Sequence, residues 1–365
     1  MKTLLVTTDF PPLLGGIANY YFNRVEKIPS DEIIVLMNKS EDCEDVKLNS
    51  KIYFKKFFIK YFWPHWIILI LHIYKIIKKE KINRIWVGQI LPVGTAVWIV
   101  CKILNLFNKK ISYFVTCHGN DLLRAKSNFR KYKLAKKILN QAEFIEANTE
   151  FTKNILIKDF NVLENKIKII YPECTLKKES VDKNKVEELK KKYNLIPSAR
   201  DKKTLLTVSR LVESKGIDQV IKSLPKVWEQ IPNLVYLIVG DGPEKENLKK
   251  ISPPIFKGGL GGVNKNIIFT GAVPHSELAN YYALADAFIL TPKSLPIFKG
   301  EIKRGLINDT ESFGIVYLEA KEFNLPIIAG KVGGASEITK NYDKMVLVDT
   351  ENLQEIENAI KKALH

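Results

Sequence analysis

The chain has 365 residues, 46% of them hydrophobic, and its 57 Lys and Arg against 40 Asp and Glu give a formal net charge of +17. That is the composition of an ordinary globular protein long enough for two or three domains with ample core. No stretch is long and apolar enough for a transmembrane helix, since the best one, Trp66 to Leu71, is broken by His72 and Lys75.

Four cysteines (Cys43, Cys101, Cys117, Cys174) form no C-x-x-C pair, which argues against a zinc site or a disulfide framework and for a reducing, cytoplasmic setting. The charge is uneven. Residues 1–172 hold 28 Lys and Arg against 15 acids, for +13, and residues 173–365 hold 29 against 25, for +4. Such asymmetry points to an anionic partner for the first half, membrane lipid or nucleic acid, unless the chain is simply Lys-rich throughout.

In chain order, Met1 to Val6 turns polar too soon for a signal peptide, and Lys2–Thr8 reads as a buried parallel strand. Asp9-Phe10-Pro11-Pro12 breaks it, and Gly15-Gly16 then precedes a helix carrying Asn19, Tyr20 and Tyr21. A strand, a glycine turn and a helix start together let a phosphate approach the backbone. Taken alone, the same pattern describes an ordinary tight turn. Ile33–Met37 is a second strand.

Residues 51–84 carry nine Lys and Arg, one acid (Glu80) and eight aromatics from Tyr53 to Trp66. Three readings stay open for this stretch: an interfacial segment on anionic lipid, a site that stacks single-stranded nucleic acid, or a partly buried helix pair with solvated lysines. No recognised nucleic-acid module accompanies it, so no nucleic-acid partner is expected.

Arg84–Gly88 is a strand, and Pro92-Val93-Gly94 opens an apolar helix to about Phe107. Ile111–Thr116 is a strand that runs into Cys117-His118-Gly119-Asn120-Asp121, which places His118 at a strand's carboxyl end, where doubly wound sheets bind ligands. Asp121 is open to three roles: orienting His118, binding a ligand, or capping the next turn. Residues 127–141 form a basic helix, Phe144–Ala147 a strand and Ile167–Tyr171 the last strand of the first half. The polar segment from Pro172-Glu173 to about Arg200 is taken as the interdomain boundary, giving domains 1–172 and 173–365.

The β/α alternation then restarts. Thr204–Val208 ends in Ser209-Arg210, and Lys215-Gly216 precedes a helix from about Asp218. Arg210 offers a bidentate fork and Lys215 a point charge, a pair suited to one anion, although two surface cations near a turn look the same in sequence. Leu234–Val239 ends in Gly240-Asp241-Gly242, and Ile267–Phe269 and Ala287–Leu290 are further strands. His275 reads as an exposed helix-start residue without a role. The long stretch from Thr291 to Thr310, with Lys299, Lys303 and Arg304, is expected to be a mobile lid or a substrate contact. A Gly-rich insertion at 251–262 has no legible purpose. Glu311-Ser312-Phe313-Gly314-Ile315-Val316-Tyr317-Leu318-Glu319-Ala320 places two carboxylates eight positions apart, the first in a loop and the second on a helix. Pro326–Ala329 is a strand followed by Gly333-Gly334, and a helix over Asn352–Leu364 ends the chain.

The motif ESFGIVYLEA resembles the Glu-x7-Glu signature of the retaining GT-B glycosyltransferases of family 4, the mannosyltransferase-like group 1 enzymes. Asp9 to Ile17, His118-Gly119-Asn120-Asp121 and Ser209-Arg210-Leu211 with Lys215-Gly216 match in the same order, over nearly the whole chain. The resemblance implies an α/β GT-B fold of two Rossmann-like doubly wound domains facing across a cleft, the first binding acceptor and the second the nucleotide sugar. It implies that Arg210 and Lys215 clamp the diphosphate without a metal and that Glu319 holds the ribose. Glu311 and the Phe313-Gly314-Ile315 backbone would hold the sugar, and His118 would contact it near its 6-position. Gly15, Gly16, Ser209 and Gly240 would lie along the donor, and Asn19, Tyr20 and Asp121 on the acceptor side. His118, Arg210, Lys215 and Glu311 would form the catalytic set. Further helices crossing back to the first domain usually follow the family's last strand.

The implied reaction is transfer of a hexose with retention. Retaining hydrolases flank one bond with carboxylates about 5 Å apart, and Glu311 and Glu319 are not placed that way, which favours front-face transfer. The pattern leans toward GDP-mannose as donor, with UDP-sugars close behind, and no cofactor beyond the nucleotide sugar. The basic, aromatic first half suggests a lipid-linked or envelope-glycan acceptor met at the inner face of the cell membrane, with peripheral contact through residues 51–84. The alternatives are a nucleotide-sugar epimerase of the same fold and a non-catalytic basic nucleic-acid- or sugar-binding protein. A glycan phosphorylase would need a pyridoxal-phosphate lysine that the sequence does not reveal.

Overall fold

A computed structural model describes residues 1–13, 15–39, 48–195, 202–253, 266–293, 295–296, 308–309, 313–334, 337 and 342–365. The chain divides into two compact units, one holding Met1–Pro172 and the other running on from Glu173.

The first unit is a seven-stranded, wholly parallel sheet. Its strands are β1 (Thr3–Thr7), β2 (Ile33–Asn38), β3 (Lys51–Lys55), β4 (Arg84–Val87), β5 (Ser112–Cys117), β6 (Ile145–Ala147) and β7 (Ile167–Ile169), in the order β3-β2-β1-β4-β5-β6-β7. Period-two alternation sends Leu4 and Val6 of β1 to one face and Leu5 to the other. Apolar stripes from α2 (Ile67–Glu80), α3 (Val93–Leu106), α5 (Phe129–Gln141) and α6 (Glu150–Phe160) cover the first face. On the second face α1 (Gly16–Glu26) buries Tyr20, Tyr21 and Val25 against Trp86 and Phe114. The strand order reverses at β1, so the carboxyl ends of β1 and β4 form the topological switch point.

The second unit repeats the design. Its sheet, also parallel throughout, has the order β10-β9-β8-β11-β14-β15. The strands are β8 (Lys203–Val208), β9 (Leu234–Val239), β10 (Ile267–Gly271), β11 (Ala287–Leu290), β14 (Ile327–Gly330) and β15 (Met345–Val348). A short antiparallel ladder joins β12 (Leu295–Pro296) to β13 (Asn308–Asp309). Helices α8 (Ile217–Trp228), α9 (Lys245–Ile251) and α12 (Leu353–Leu364) fill one face, and α10 (Leu278–Tyr282) and α11 (Ile315–Glu322) the other. The architecture is the expected pair of doubly wound α/β domains.

One sequence expectation changes. Residues 51–84 are not a helix pair: Lys51–Lys55 is an edge strand, and only Ile67–Glu80 is helical. The alternation Lys51, Tyr53, Lys55 against Ile52, Phe54 carried the strand signal. The polar stretch after Glu173, taken as the interdomain boundary, carries a helix of its own. Asp182 accepts from the N–H groups of Asn184 and Lys185 and caps α7 (Lys183–Lys192), which buries Val186 and Leu189 three positions apart. Among the described residues no helix is long and apolar enough to cross a membrane.

Candidate active site

In the first unit, polar side chains gather at the carboxyl ends of β1, β4 and β5. Gly88 directly follows β4, and a Cβ there would lie 2.7 Å from Thr7 Cβ, so only glycine lets these two strand ends close up. Gln89 spans the switch point. Its Nε2 donates to Thr7 Oγ1 and Asp9 Oδ2, each at 2.8 Å, and its Oε1 accepts from the Thr8 N–H at 2.9 Å.

His118 follows β5 and is 7% exposed. Its Nε2 lies 2.8 Å from the hydroxyl of Tyr21, which is wholly buried on α1 and donates to the Gly88 carbonyl. Tyr20 and Tyr21 both meet the imidazole edge-on, each at 5.4 Å and 89°. Burial, with the Arg24 charge adding to it, pushes the imidazole down to about 4. It is therefore neutral near pH 7.

Asp121, in the first turn of α4 (Asn120–Lys126), accepts the His118 and Leu122 N–H groups on Oδ1, each at 3.0 Å. It thus orients the His118 backbone and closes the turn. Its Oδ2 is buried without a partner. Burial pushes the carboxyl up to about 6, against the pull of those two backbone N–H groups.

Tyr20 is set from below. Arg24 Nη1 donates to its hydroxyl at 2.8 Å, and the guanidinium forks onto Glu146, with Nη2 to Oε1 at 2.9 Å. The same guanidinium lies 4.5 Å over the Trp86 ring, and Thr116 donates to Glu146 at 2.7 Å. Gly15 and Gly16 are exposed at the start of α1, and Asn19 is half-buried one turn on.

In the second unit, Ser209 and Arg210 follow β8, and Arg210 is exposed. The Ser209 N–H donates to the Val239 carbonyl at 3.0 Å, and a Cβ on Gly240 would fall 1.8 Å from the Ser209 carbonyl oxygen. Gly240 therefore holds the Ser209-Arg210 turn in place. Lys215 is half-buried and ends the 3-10 turn Glu213–Lys215. That turn is fastened to the end of β11: Thr291 Oγ1 donates to the Gly216 carbonyl at 3.2 Å and the Lys293 N–H to the Ser214 carbonyl at 2.9 Å. The buried Lys293 ammonium donates to Asp218 at 2.7 Å. Asp218, half-buried, also takes Lys222, and the two lysines outweigh burial to hold its carboxyl below the usual range.

Gly314, at φ +79°, opens α11, behind the buried Phe313. The first N–H groups of the helix, beginning at Ile315, have no intrahelical acceptor. Glu319 sits in the second turn and is 3% exposed. Its Oε2 accepts from Tyr282 at 2.7 Å, and its Oε1 lies 3.4 Å from His275 Nε2. His275, given no role from sequence, is thus a neighbour of the candidate ribose carboxylate. Glu311 lies outside the described residues, as do residues 254–262 of the Gly-rich insertion and Lys299, Lys303 and Arg304.

Sequence reasoning missed Tyr21, Gln89, Tyr282 and Lys293. Gln89 was within reach of the strand-end rule applied to His118, because it lies two residues past β4 as His118 lies one past β5. Nothing in the sequence pairs Tyr21 with His118 or Tyr282 with Glu319.

Parallel doubly wound sheets, used twice, with candidate ligand-binding groups at strand carboxyl ends, are the GT-B glycosyltransferase design. A structure of Anabaena HepE in complex with UDP and glucose superposes with a TM-score of 0.74 at 16% identity, over 100% of this chain and 90% of that one. The family described as Glycosyltransferase Family 4 matches residues 14–172, and that described as Glycosyl transferases group 1 matches residues 187–365. The chain belongs to this glycosyltransferase family and is an enzyme. It is 25% identical, over 98% of its length and 87% of the relative, to a GDP-mannose-dependent alpha-(1-6)-phosphatidylinositol monomannoside mannosyltransferase of Mycolicibacterium smegmatis. It is 26% identical, over 97% and 87%, to a mannosyltransferase of Corynebacterium glutamicum named for the monoacylated form of that acceptor.

Proposed function

We propose that this enzyme transfers mannose from GDP-mannose, with retention, to a mannosylated phosphatidylinositol or a closely related glycolipid. The observation that carries the reading is the near full-length similarity to mannosyltransferases named for that donor and acceptor. The first domain takes the acceptor and the second the nucleotide. Glu319 holds the ribose hydroxyls, and Arg210 and Lys215 hold the diphosphate. Glu311 and the Phe313-Gly314-Ile315 backbone hold the mannose, and Gly15, Gly16 and Ser209 border the donor. His118 takes a hydroxyl of the mannose, and Asn19, Tyr20 and Asp121 stand on the acceptor side.

The acceptor oxygen attacks the anomeric carbon from the face that GDP leaves. The bond to the β-phosphate oxygen breaks and its electron pair stays on GDP. The acceptor's hydroxyl proton passes to a departing phosphate oxygen. Fixed cations where that negative charge grows are the main catalytic lever, and no metal is assigned a role.

Membrane contact belongs to the same reading. Tyr61, Phe62 and Trp63 are 90%, 55% and 83% exposed, with Lys55, Lys56 and Lys60 exposed beside them. Three neighbouring exposed aromatics among cations suit a headgroup layer, which lodges rings and attracts ammonium groups. The site of action is then the inner face of the cell membrane.

The test is a thermal-shift panel of GDP, UDP, ADP and their sugar conjugates, followed by transfer from labelled GDP-mannose to phosphatidylinositol mannosides. Selective stabilisation by GDP ligands and a lipid-borne α-mannoside support the reading. Selectivity for UDP overturns the donor. A converted nucleotide sugar formed without acceptor would make the protein an epimerase.

A further inference from the structure

We propose that Tyr21 fixes the proton of His118 on Nε2, so that Nδ1 meets the sugar as an obligate hydrogen-bond acceptor. The site thereby selects a hydroxyl at that position over a carboxylate or a bare hydrogen. The inference rests on the reading that His118 faces the transferred sugar, and adds to it which atom makes the contact and what that atom refuses.

Tyr21 has one hydroxyl proton and two neighbours. Its oxygen lies 2.5 Å from the Gly88 carbonyl oxygen and 2.8 Å from His118 Nε2. A carbonyl oxygen only accepts, so the Tyr21 proton must point at Gly88. Otherwise two oxygens would meet at 2.5 Å with no hydrogen between them. The Tyr21 oxygen then has only lone pairs to offer, and His118 Nε2 must carry a proton to bond to it. In a neutral imidazole the other nitrogen is bare. The Arg24 charge and the buried setting both oppose a second proton there.

The ring cannot turn over to evade this. A half-turn would present a carbon to the Tyr21 oxygen, and the Tyr20 and Tyr21 rings both meet the imidazole edge-on, each at 5.4 Å. Nδ1 has no partner among the described residues, yet it is not among the sealed, unpartnered buried atoms. It is the open nitrogen of an otherwise buried ring. A sugar hydroxyl can donate to it. A carboxylate brings only lone pairs, and a deoxy carbon leaves it unpaired, which a buried polar site penalises. Tyr21, wholly buried, acts through His118 as a positioning residue.

The tautomer is read directly in the ¹⁵N-histidine-labelled full chain by multiple-bond ¹H–¹⁵N correlation, with His118 assigned by its contacts to the Tyr20 and Tyr21 rings. The wild type at pH 7 is expected to show a single neutral tautomer, protonated on Nε2. In Tyr21→Phe the proton should redistribute toward Nδ1, and in Tyr20→Phe it should stay on Nε2. An Nδ1-protonated wild type overturns the proposal without needing any variant, as does a pure Nε2 tautomer surviving in Tyr21→Phe.

Donor selectivity is the second arm. Wild-type kcat/KM should favour GDP-mannose over its 6-deoxy analogue by roughly tenfold or more, and over its 6-carboxylate analogue by a larger factor. Tyr21→Phe should bring the first ratio toward one. If the tautomer is as stated but the ratios do not move, His118 does not face that hydroxyl. The selectivity claim then falls together with the reading beneath it.

Discussion

Tyr282, wholly buried, donates its hydroxyl to Glu319 Oε2 at 2.7 Å and stacks on Phe323 at 5.4 Å. The carboxylate proposed for the ribose is therefore held on one oxygen by a wholly buried side chain, leaving the other beside His275. Loss of the Tyr282 hydroxyl leaves a buried carboxylate with one bond fewer. In Tyr282→Phe the KM for the donor should rise roughly tenfold, with kcat changed much less, because the ribose bond is equally present in ground and transition states. Glu319→Ala should do more in the same sense. Steady-state kinetics in donor concentration check both, and a fall confined to kcat would separate Glu319 from donor binding.

Arg210 and Lys215 should behave oppositely. If they meet negative charge that grows as GDP departs, Arg210→Ala and Lys215→Ala should each lower kcat by about a hundredfold, beyond any change in KM. Arg210→Lys should recover little, since an ammonium cannot reproduce the planar fork. Single-turnover transfer with saturating donor is the measurement.

The parts of the molecule that were legible in sequence share one property: the signal was local. Leu234–Val239 reads as a strand from its own apolar run, and the structure gives the same bounds. His118 stood out because a strand ended just before it. What escaped was set by tertiary partners. Tyr20 and Tyr21 are neighbours on one helix, and sequence offers no reason to prefer either, yet only Tyr21 bonds the imidazole. The aromatics of residues 51–84 looked alike, but Phe57 is fully buried while Tyr61 and Trp63 stand in solvent. The turn carrying Lys215 is tied by Thr291 and Lys293, more than seventy residues further on.

Gly240 shows how closely the second domain's strand ends are packed. Its φ is +142°, and an added Cβ would meet the Ser209 carbonyl at 1.8 Å. Backbone cannot yield as a flexible side chain can. Gly240→Ala should cost about 2–4 kcal/mol of stability and displace the Ser209-Arg210 turn. Urea unfolding reads the first effect and donor KM the second.

Asp121 supplies a pH dependence with a definite sign. Its carboxyl is raised from the ordinary 3.8 to about 6 by burial, so the folded protein holds that proton more tightly than the unfolded chain. Its contribution is fully present below about pH 4 and is lost as pH rises through 6. Asp121→Asn does not titrate and keeps an oxygen for the His118 N–H. Relative to wild type it should gain about 2–3 kcal/mol of stability between pH 4 and pH 7. His118, lowered to about 4, has the opposite slope over this range, but it is present in both proteins and cancels in the comparison. Denaturant unfolding across that range checks the slope, and a constant difference would contradict it.

The exposed aromatics allow membrane contact to be tested apart from catalysis. Tyr61, Phe62 and Trp63 project from the first domain, and Lys60 lies 5.7 Å from the Tyr61 ring. Exposed rings contribute little to the folded core, so Tyr61→Ser with Trp63→Ser should leave the melting temperature within about 2 °C of wild type. If these rings lodge among headgroups, the same pair should lower the partition onto anionic vesicles by about tenfold or more. Charge and rings contribute separately: Lys55→Gln with Lys56→Gln should weaken binding mainly at low salt, whereas the aromatic pair should weaken it at every salt concentration. Vesicle sedimentation at two ionic strengths distinguishes the two effects. Transfer to a water-soluble acceptor should be unchanged in the aromatic variant while transfer to a lipid acceptor in vesicles falls. An equal loss on both acceptors would assign these rings to the acceptor site and not to the membrane.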